Sequence, residues 1–126
     1  MSKAAEQEAL VALAQKRLYP VFRQPPLVIS HGKGREVWDK EGKRYLDMMA
    51  GIAVSTLGHA HPKLTSVIAE QAGRLVHLSN YFYNEPNIRL ADELCRRTGF
   101  DRAFFCNSGT EANEAMLKLV RYHFHR

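Results

Sequence analysis

Apolar residues recur at three- and four-residue spacing in four stretches of the chain, and short continuous or alternating apolar runs lie between them. Residues 4–18 form the first stretch, with Leu10, Leu13 or Ala14, and Arg17 or Leu18 near one face, which predicts an amphipathic helix. Pro20, Pro25 and Pro26 break the pattern and mark a connecting loop. Leu27-Val28-Ile29 predicts a short strand ending at the turn His31-Gly32-Lys33-Gly34. Glu36-Val37-Trp38 and Arg44-Tyr45-Leu46 then flank Asp39-Lys40-Glu41-Gly42. That is a hairpin pattern, with Gly42 in the left-handed position after a type I turn.

Residues 48–60 are rich in Ala, Gly and Met and show no period. Pro62 stands where a first helical turn would begin, and Leu64, Val67, Ile68, Gln71 or Ala72, and Leu75 carry the helix to about Val76. A third helix is expected from Asn84-Glu85-Pro86, turning Leu90, Ala91, Leu94 and Cys95 inward and stopping at Gly99. Arg102–Cys106 reads as a buried strand that stops at Ser108-Gly109-Thr110. A helix follows at once through Ala112, Ala115, Met116, Leu119 and Val120.

That last junction carries the most chemistry. Ser108 and Glu111 have the spacing of a capping box, with the serine as N-cap and the glutamate closing back on it. Gly109 has no Cβ and lets another group approach the backbone. The first helical turn offers unpaired N–H donors and the positive end of the helix dipole. A strand, a turn of small residues and a helix N-terminus together suit a phosphate group. The bare pattern also occurs at ordinary helix starts, where Ser108 would be an N-cap and nothing more.

Composition narrows the alternatives. The chain has 126 residues, 45% hydrophobic and 25% charged, which is ordinary for a globular protein. Its formal net charge of +5 comes from eleven arginines and seven lysines scattered without a long basic run, which disfavours nucleic-acid binding. Cys95 and Cys106 are too few for a disulfide framework, and both are expected to be small buried hydrophobes. No apolar stretch reaches membrane-spanning length, and the first residues are too acidic for a secretory signal, so a cytoplasmic setting is expected. His59-Ala60-His61 and His123-Phe124-His125 have the spacing of two metal ligands. Neither has a carboxylate or thiolate at structural-zinc spacing, so the first pair is read as shaping a turn and the second as sitting at a helix C-terminus.

Four blocks carry a wider likeness: VWDKEGKRYLD at 37–47, AGIAVSTLGHAHP at 50–62, HLSNYFYNEP at 77–86 and FFCNSGTEANEAMLKLVR at 104–121. In this order they resemble class III, pyridoxal-phosphate-dependent aminotransferases, most closely the acetylornithine aminotransferase branch. The resemblance implies an α/β fold. The chain would be the N-terminal part of a fold-type I enzyme, with residues 1–58 starting the small domain and 59–126 opening the large cofactor domain. It implies pyridoxal 5'-phosphate as cofactor, with its phosphate held by Gly109 and Thr110 through their N–H groups and by Ser108 as a further donor. At Ile52, ornithine-using relatives carry a tyrosine and the acetylornithine branch an aliphatic residue. Ile52 is therefore either a substrate-pocket wall suited to an acylated donor or ordinary packing. Ser79-Asn80-Tyr81-Phe82 resembles a loop that reaches the partner's active site in these homodimers.

By the same resemblance, the ring-stacking aromatic, the carboxylate-binding arginine, the aspartate and the Schiff-base lysine all follow the phosphate turn. No catalytic residue is therefore expected within these residues, and none of the seven lysines has an apolar setting that would lower its pKa. Lys118 reads as a surface partner of Glu114, one turn away. The expected reaction moves an amino group from N-acetylornithine, or a similar ω-amino donor, to 2-oxoglutarate, with this chain an inactive fragment of the enzyme. The alternative is a truncated, non-catalytic relative acting as a binding or interaction module.

Overall fold

The computed structural model describes residues 2–125, which fall into two compact units, one up to Val76 and the other from His77. In the first unit, helix α1 (Lys3–Arg17) starts at Ser2, whose Oγ accepts the Ala5 N–H at 3.2 Å. It stops at Leu18, before Pro20. The expected apolar face is not its contact surface: Leu10 and Leu13 are exposed, and Gln7 is the buried residue. The Gln7 amide donates to Glu41 Oε1 at 2.8 Å and accepts the Val28 N–H at 3.2 Å. Beside it Lys40 Nζ meets Glu6 Oε1 at 2.8 Å. A polar clip, not an apolar stripe, joins this helix to the hairpin turn.

Strands β1 (Ile29–Lys33), β2 (Glu36–Asp39) and β3 (Arg44–Leu46) form an antiparallel sheet in the order β1-β2-β3. The first strand begins two residues later than Leu27, because its pairing with β2 starts at Ile29↔Asp39 and continues to Lys33↔Glu36. The turn there falls at Gly34, where φ is 57°. The hairpin between β2 and β3 forms where its residue pattern predicts, and Gly42 is left-handed with φ 92°. Asp39 organises that turn. Only 3% exposed, its carboxylate accepts the N–H groups of Glu41 (2.9 Å) and Lys43 (2.8 Å) and the Tyr45 hydroxyl (2.8 Å). Burial pushes its pKa up, but these hydrogen bonds outweigh it and hold the group below the ordinary carboxylate value. The same bond to Asp39 raises the pKa of Tyr45.

After the sheet comes a single turn, α2 (Ala50–Ala53), wound in the left-handed sense, with φ 46° at Ala50, 63° at Gly51, 60° at Ile52 and 63° at Ala53. Its hydrogen bonds run from Ala53 N–H to Met49 O (3.1 Å) and from Ser55 N–H to Ala50 O (2.8 Å). Left-handed helical backbone costs an L-residue about 1–2 kcal/mol, and a β-branched residue there is an outlier. Helix α3 (Pro62–Arg74) follows with Pro62 in its first turn.

The second unit holds α4 (Glu85–Thr98) and α5 (Gly109–Phe124). Both boundaries of α4 match local chemistry: the Asn84 side chain accepts the Asn87 N–H, and Gly99 closes the helix at φ 77°. Residues 102–106 do not form the expected strand, since no strand lies beside them among the described residues and an unpaired strand leaves its backbone groups unsatisfied. Leu90 and Leu94 on α4, expected to turn inward, are exposed, and so are Leu64, Val67 and Ile68 on α3 and Met116, Leu119 and Val120 on α5. No hydrophobic side chain is buried among the described residues, and no described helix is long and apolar enough to cross a membrane.

Candidate functional site

Ser108, Gly109 and Thr110 stand together, exposed, where α5 begins. Ser108 has extended backbone (φ −153°, ψ 160°), and its Oγ accepts the Glu111 N–H at 3.2 Å, as an N-cap should. The other half of the capping box is displaced by one residue: Glu111 Oε2 accepts the Asn107 N–H at 2.6 Å instead of that of Ser108. The Gly109 and Thr110 amides have no acceptor among the described residues. A Cβ built on Gly109 would meet nothing within 4 Å, so the approach to these amides is open. Main-chain donors, a serine hydroxyl and the positive end of a 16-residue helix fit a phosphate group, which needs several acceptors satisfied at once.

The flanking side chains refine that picture. Cys106 is exposed, its thiol donating to the Ser108 carbonyl at 3.4 Å, and Cys95 is half-buried, so neither is the buried apolar filler expected. Lys118 does pair with Glu114 (2.6 Å), and that hydrogen bond lowers the Glu114 pKa.

A second candidate region lies in the first unit, where Gly34, Arg35, Asp47, Ala50, Gly58 and His59 line a cleft of about 550 Å³. Its frame is a two-bond bridge, from Gly34 N–H to His59 O (2.9 Å) and from His59 N–H to Gly34 O (2.7 Å). Asp47 Oδ2 lies 2.6 Å from His59 Nε2, and its other oxygen accepts the Met49 and Ala50 N–H groups, both at 2.9 Å. The His59 hydrogen bond and then the two amides hold the Asp47 carboxyl below its ordinary value. His59 is thus engaged by a carboxylate, while His61 precedes Pro62 at the start of α3. No group of three or more His, Cys, Asp or Glu residues suited to a metal occurs among the described residues.

Ile52 stands on the left-handed turn, 83% exposed. Tyr81, Phe82 and Tyr83 are also exposed. Sequence reasoning passed over Asp47, and it placed Gly32 in a turn, whereas Gly32 lies within β1, paired with Val37. An aspartate two residues before an amide it accepts is an Asx-turn signal, but its pairing with a histidine twelve positions on has no local signature.

The class-III aminotransferase family model matches residues 19–126. The chain is 48% identical over 120 residues to an acetylornithine aminotransferase of Myxococcus xanthus, covering 95% of this chain and 30% of that protein. It is 50% identical over 108 residues to a succinylornithine transaminase of Salmonella paratyphi A, covering 86% of this chain and 26% of that protein. Among solved structures, an ornithine aminotransferase of Toxoplasma gondii, described with pyridoxal phosphate partly occupying its active site, superposes with a TM-score of 0.85 at 33% identity. That match covers 91% of this chain and 27% of the other. The chain therefore spans about 30% or less of the length of these relatives. With most of its residues matched by one family model, and the fold of the corresponding segment of a solved aminotransferase, the chain belongs to the class-III aminotransferases, a family of pyridoxal-phosphate-dependent transaminases.

Proposed function

We propose that these residues are the N-terminal portion of an enzyme that transfers an amino group from N-acetylornithine, or a closely similar N-acylated diamino acid, to 2-oxoglutarate. The observation that carries the reading is the open N-terminus of α5, where Ser108, Gly109 and Thr110 present a hydroxyl and two unsatisfied amides beside a glycine with free space over it. Pyridoxal phosphate, when bound, supplies the electron sink for the chemistry at the donor's α- or ω-carbon. The residues present here hold its phosphate handle and line part of the pocket. In this reading the lysine, the ring-stacking aromatic and the carboxylate-binding arginine come from other parts of the longer protein.

Ile52 would wall the acyl end of the donor. An aliphatic side chain suits an uncharged acyl group, whereas a free ammonium would need a polar partner. Residues 1–58 are assigned to the small domain and 59–126 to the start of the cofactor domain. A homodimer in the cytoplasm belongs to the same proposal, supported by the exposed run Tyr81-Phe82-Tyr83 and the exposed helix faces, which need a cover.

The test is made on the complete enzyme carrying these residues. N-acetylornithine and 2-oxoglutarate should yield glutamate, and Gly109→Val should lose cofactor on dialysis that the unmodified enzyme retains. Equal retention by the variant would remove the phosphate assignment, and absence of glutamate would remove the donor assignment. The 126-residue chain alone should show no turnover; activity there would refute the placement of the lysine elsewhere.

A further inference from the structure

The loop of residues 48–58 is joined at both ends by one carboxylate. Asp47 Oδ1 accepts the N–H groups of Met49 and Ala50, which open the left-handed turn, and Asp47 Oδ2 meets His59 Nε2 at 2.6 Å. Both side chains are mostly shielded, Asp47 at 14% and His59 at 29% exposed. His59 is itself fixed to the sheet, through the two main-chain bonds to Gly34. Its ring also lies against Gly32, where a Cβ would stand 2.6 Å from His59 Cγ. The hairpin thus holds His59, His59 holds Asp47, and Asp47 holds the first residues of α2. A left-handed turn of L-residues persists only where its surroundings over-determine it. This chain of contacts is what the structure offers for that purpose.

We propose that Asp47 and His59 are positioning residues for donor selection: their clasp keeps α2 left-handed and so sets where Ile52 stands against the acyl end of the donor. The proposal rests on the assignment of Ile52 to the substrate pocket made above. Once the clasp opens, the backbone of residues 50–53 is free to relax to its ordinary right-handed or extended forms. Ile52 then points elsewhere, and the acyl group loses its wall while the distant reacting groups stay in place. A residue that merely stabilised the protein would lower the active fraction without changing the Michaelis constant of the molecules that remain folded.

The experiment compares the complete holoenzyme with its His59→Ala, His59→Gln and Asp47→Ala variants. Steady-state rates are measured with N-acetylornithine at saturating 2-oxoglutarate, and amide hydrogen exchange is followed over residues 48–58. His59→Ala should raise the KM for N-acetylornithine roughly tenfold, the scale of one charge-assisted hydrogen bond, with kcat changed by less than about threefold. Exchange at Ala53 and Ser55 should accelerate in the same variant. His59→Gln, whose side-chain N–H can still reach Asp47, should recover most of both effects; Asp47→Ala, which opens the clasp from its other side, should show both changes and serves in place of His59→Ala should that one fail to fold. Unchanged exchange would overturn the clasp, and faster exchange at unchanged KM would overturn its positioning role. Should the unmodified enzyme use a different donor, the N-acetylornithine reading falls, and the same KM comparison on the donor it does use, with the exchange data, judges the clasp.

Discussion

Replacing Gly58 with alanine tests the backbone account of the first unit most directly. Gly58 has φ 78°, and a Cβ there would lie 2.8 Å from Gly34 O and 3.0 Å from Gly34 C and Cα. These are main-chain atoms, so no rotamer change relieves the overlap; the loop and the hairpin must separate. The left-handed conformation costs alanine about 1–2 kcal/mol. Separation also loses the bonds between Gly34 and His59, at about 0.5–1.5 kcal/mol each. The sum is roughly 2–5 kcal/mol of local stability. Amide exchange at Gly34 and His59 reads it out, and protection there should fall by about 30-fold or more, at 1.36 kcal/mol per decade. Gly73→Ala is the control, because Gly73 lies in α3 with nothing within 4 Å of the added methyl. It should be neutral or stabilising by about 0.5–1 kcal/mol. Equal protection of Gly34 and His59 in the two variants would show that close packing of loop on hairpin does not hold this region.

Three further outcomes follow from single contacts. Asp47 has a folded pKa below its unfolded value of 3.8, so its contribution is complete above that value and disappears as acid protonates the folded carboxylate; protection of Met49 and Ala50, exchange taken relative to the intrinsic rate at each pH, should be constant above about pH 5 and fall below 3.8. Gln7→Ala leaves the Val28 N–H and Glu41 without their partner, and should cost about 1–3 kcal/mol, read as faster proteolysis between α1 and β1. Ser108→Ala removes the N-cap of α5 and should cost about 0.5–2 kcal/mol, seen as fraying of its first turn by exchange at Glu111.

What could be read along the chain was what neighbouring residues decide among themselves. Pro62 at a helix start, Asn84 as a cap, Gly99 as a stop and Gly42 in a hairpin each act within four residues, and each stands where its chemistry requires. The capped start of α5 at Ser108 is legible for the same reason, although Glu111 reaches Asn107, one residue further than a capping box would have it. Contacts across long separations were not legible. Gln7 meets Glu41 34 positions away, and a polar residue on a short amphipathic helix gives no sign that it, and not Leu10 or Leu13, will be buried. The left-handed turn at Ala50–Ala53 was equally hidden, since only Gly51 in it favours positive φ. The apolar run at 102–106 predicts a strand whose partners would come from further along a longer chain, and no strand stands beside it among the described residues.

The first unit is ordered by directional polar contacts at Gln7, Asp39 and Asp47, with no hydrophobic side chain buried among its described residues. Heat capacity rises on unfolding mainly because apolar groups become hydrated. For the 126-residue chain by itself, with nothing covering its apolar faces, a calorimeter should therefore register a small heat-capacity increment per residue on melting, a flat temperature dependence of stability, and little tendency to come apart on chilling.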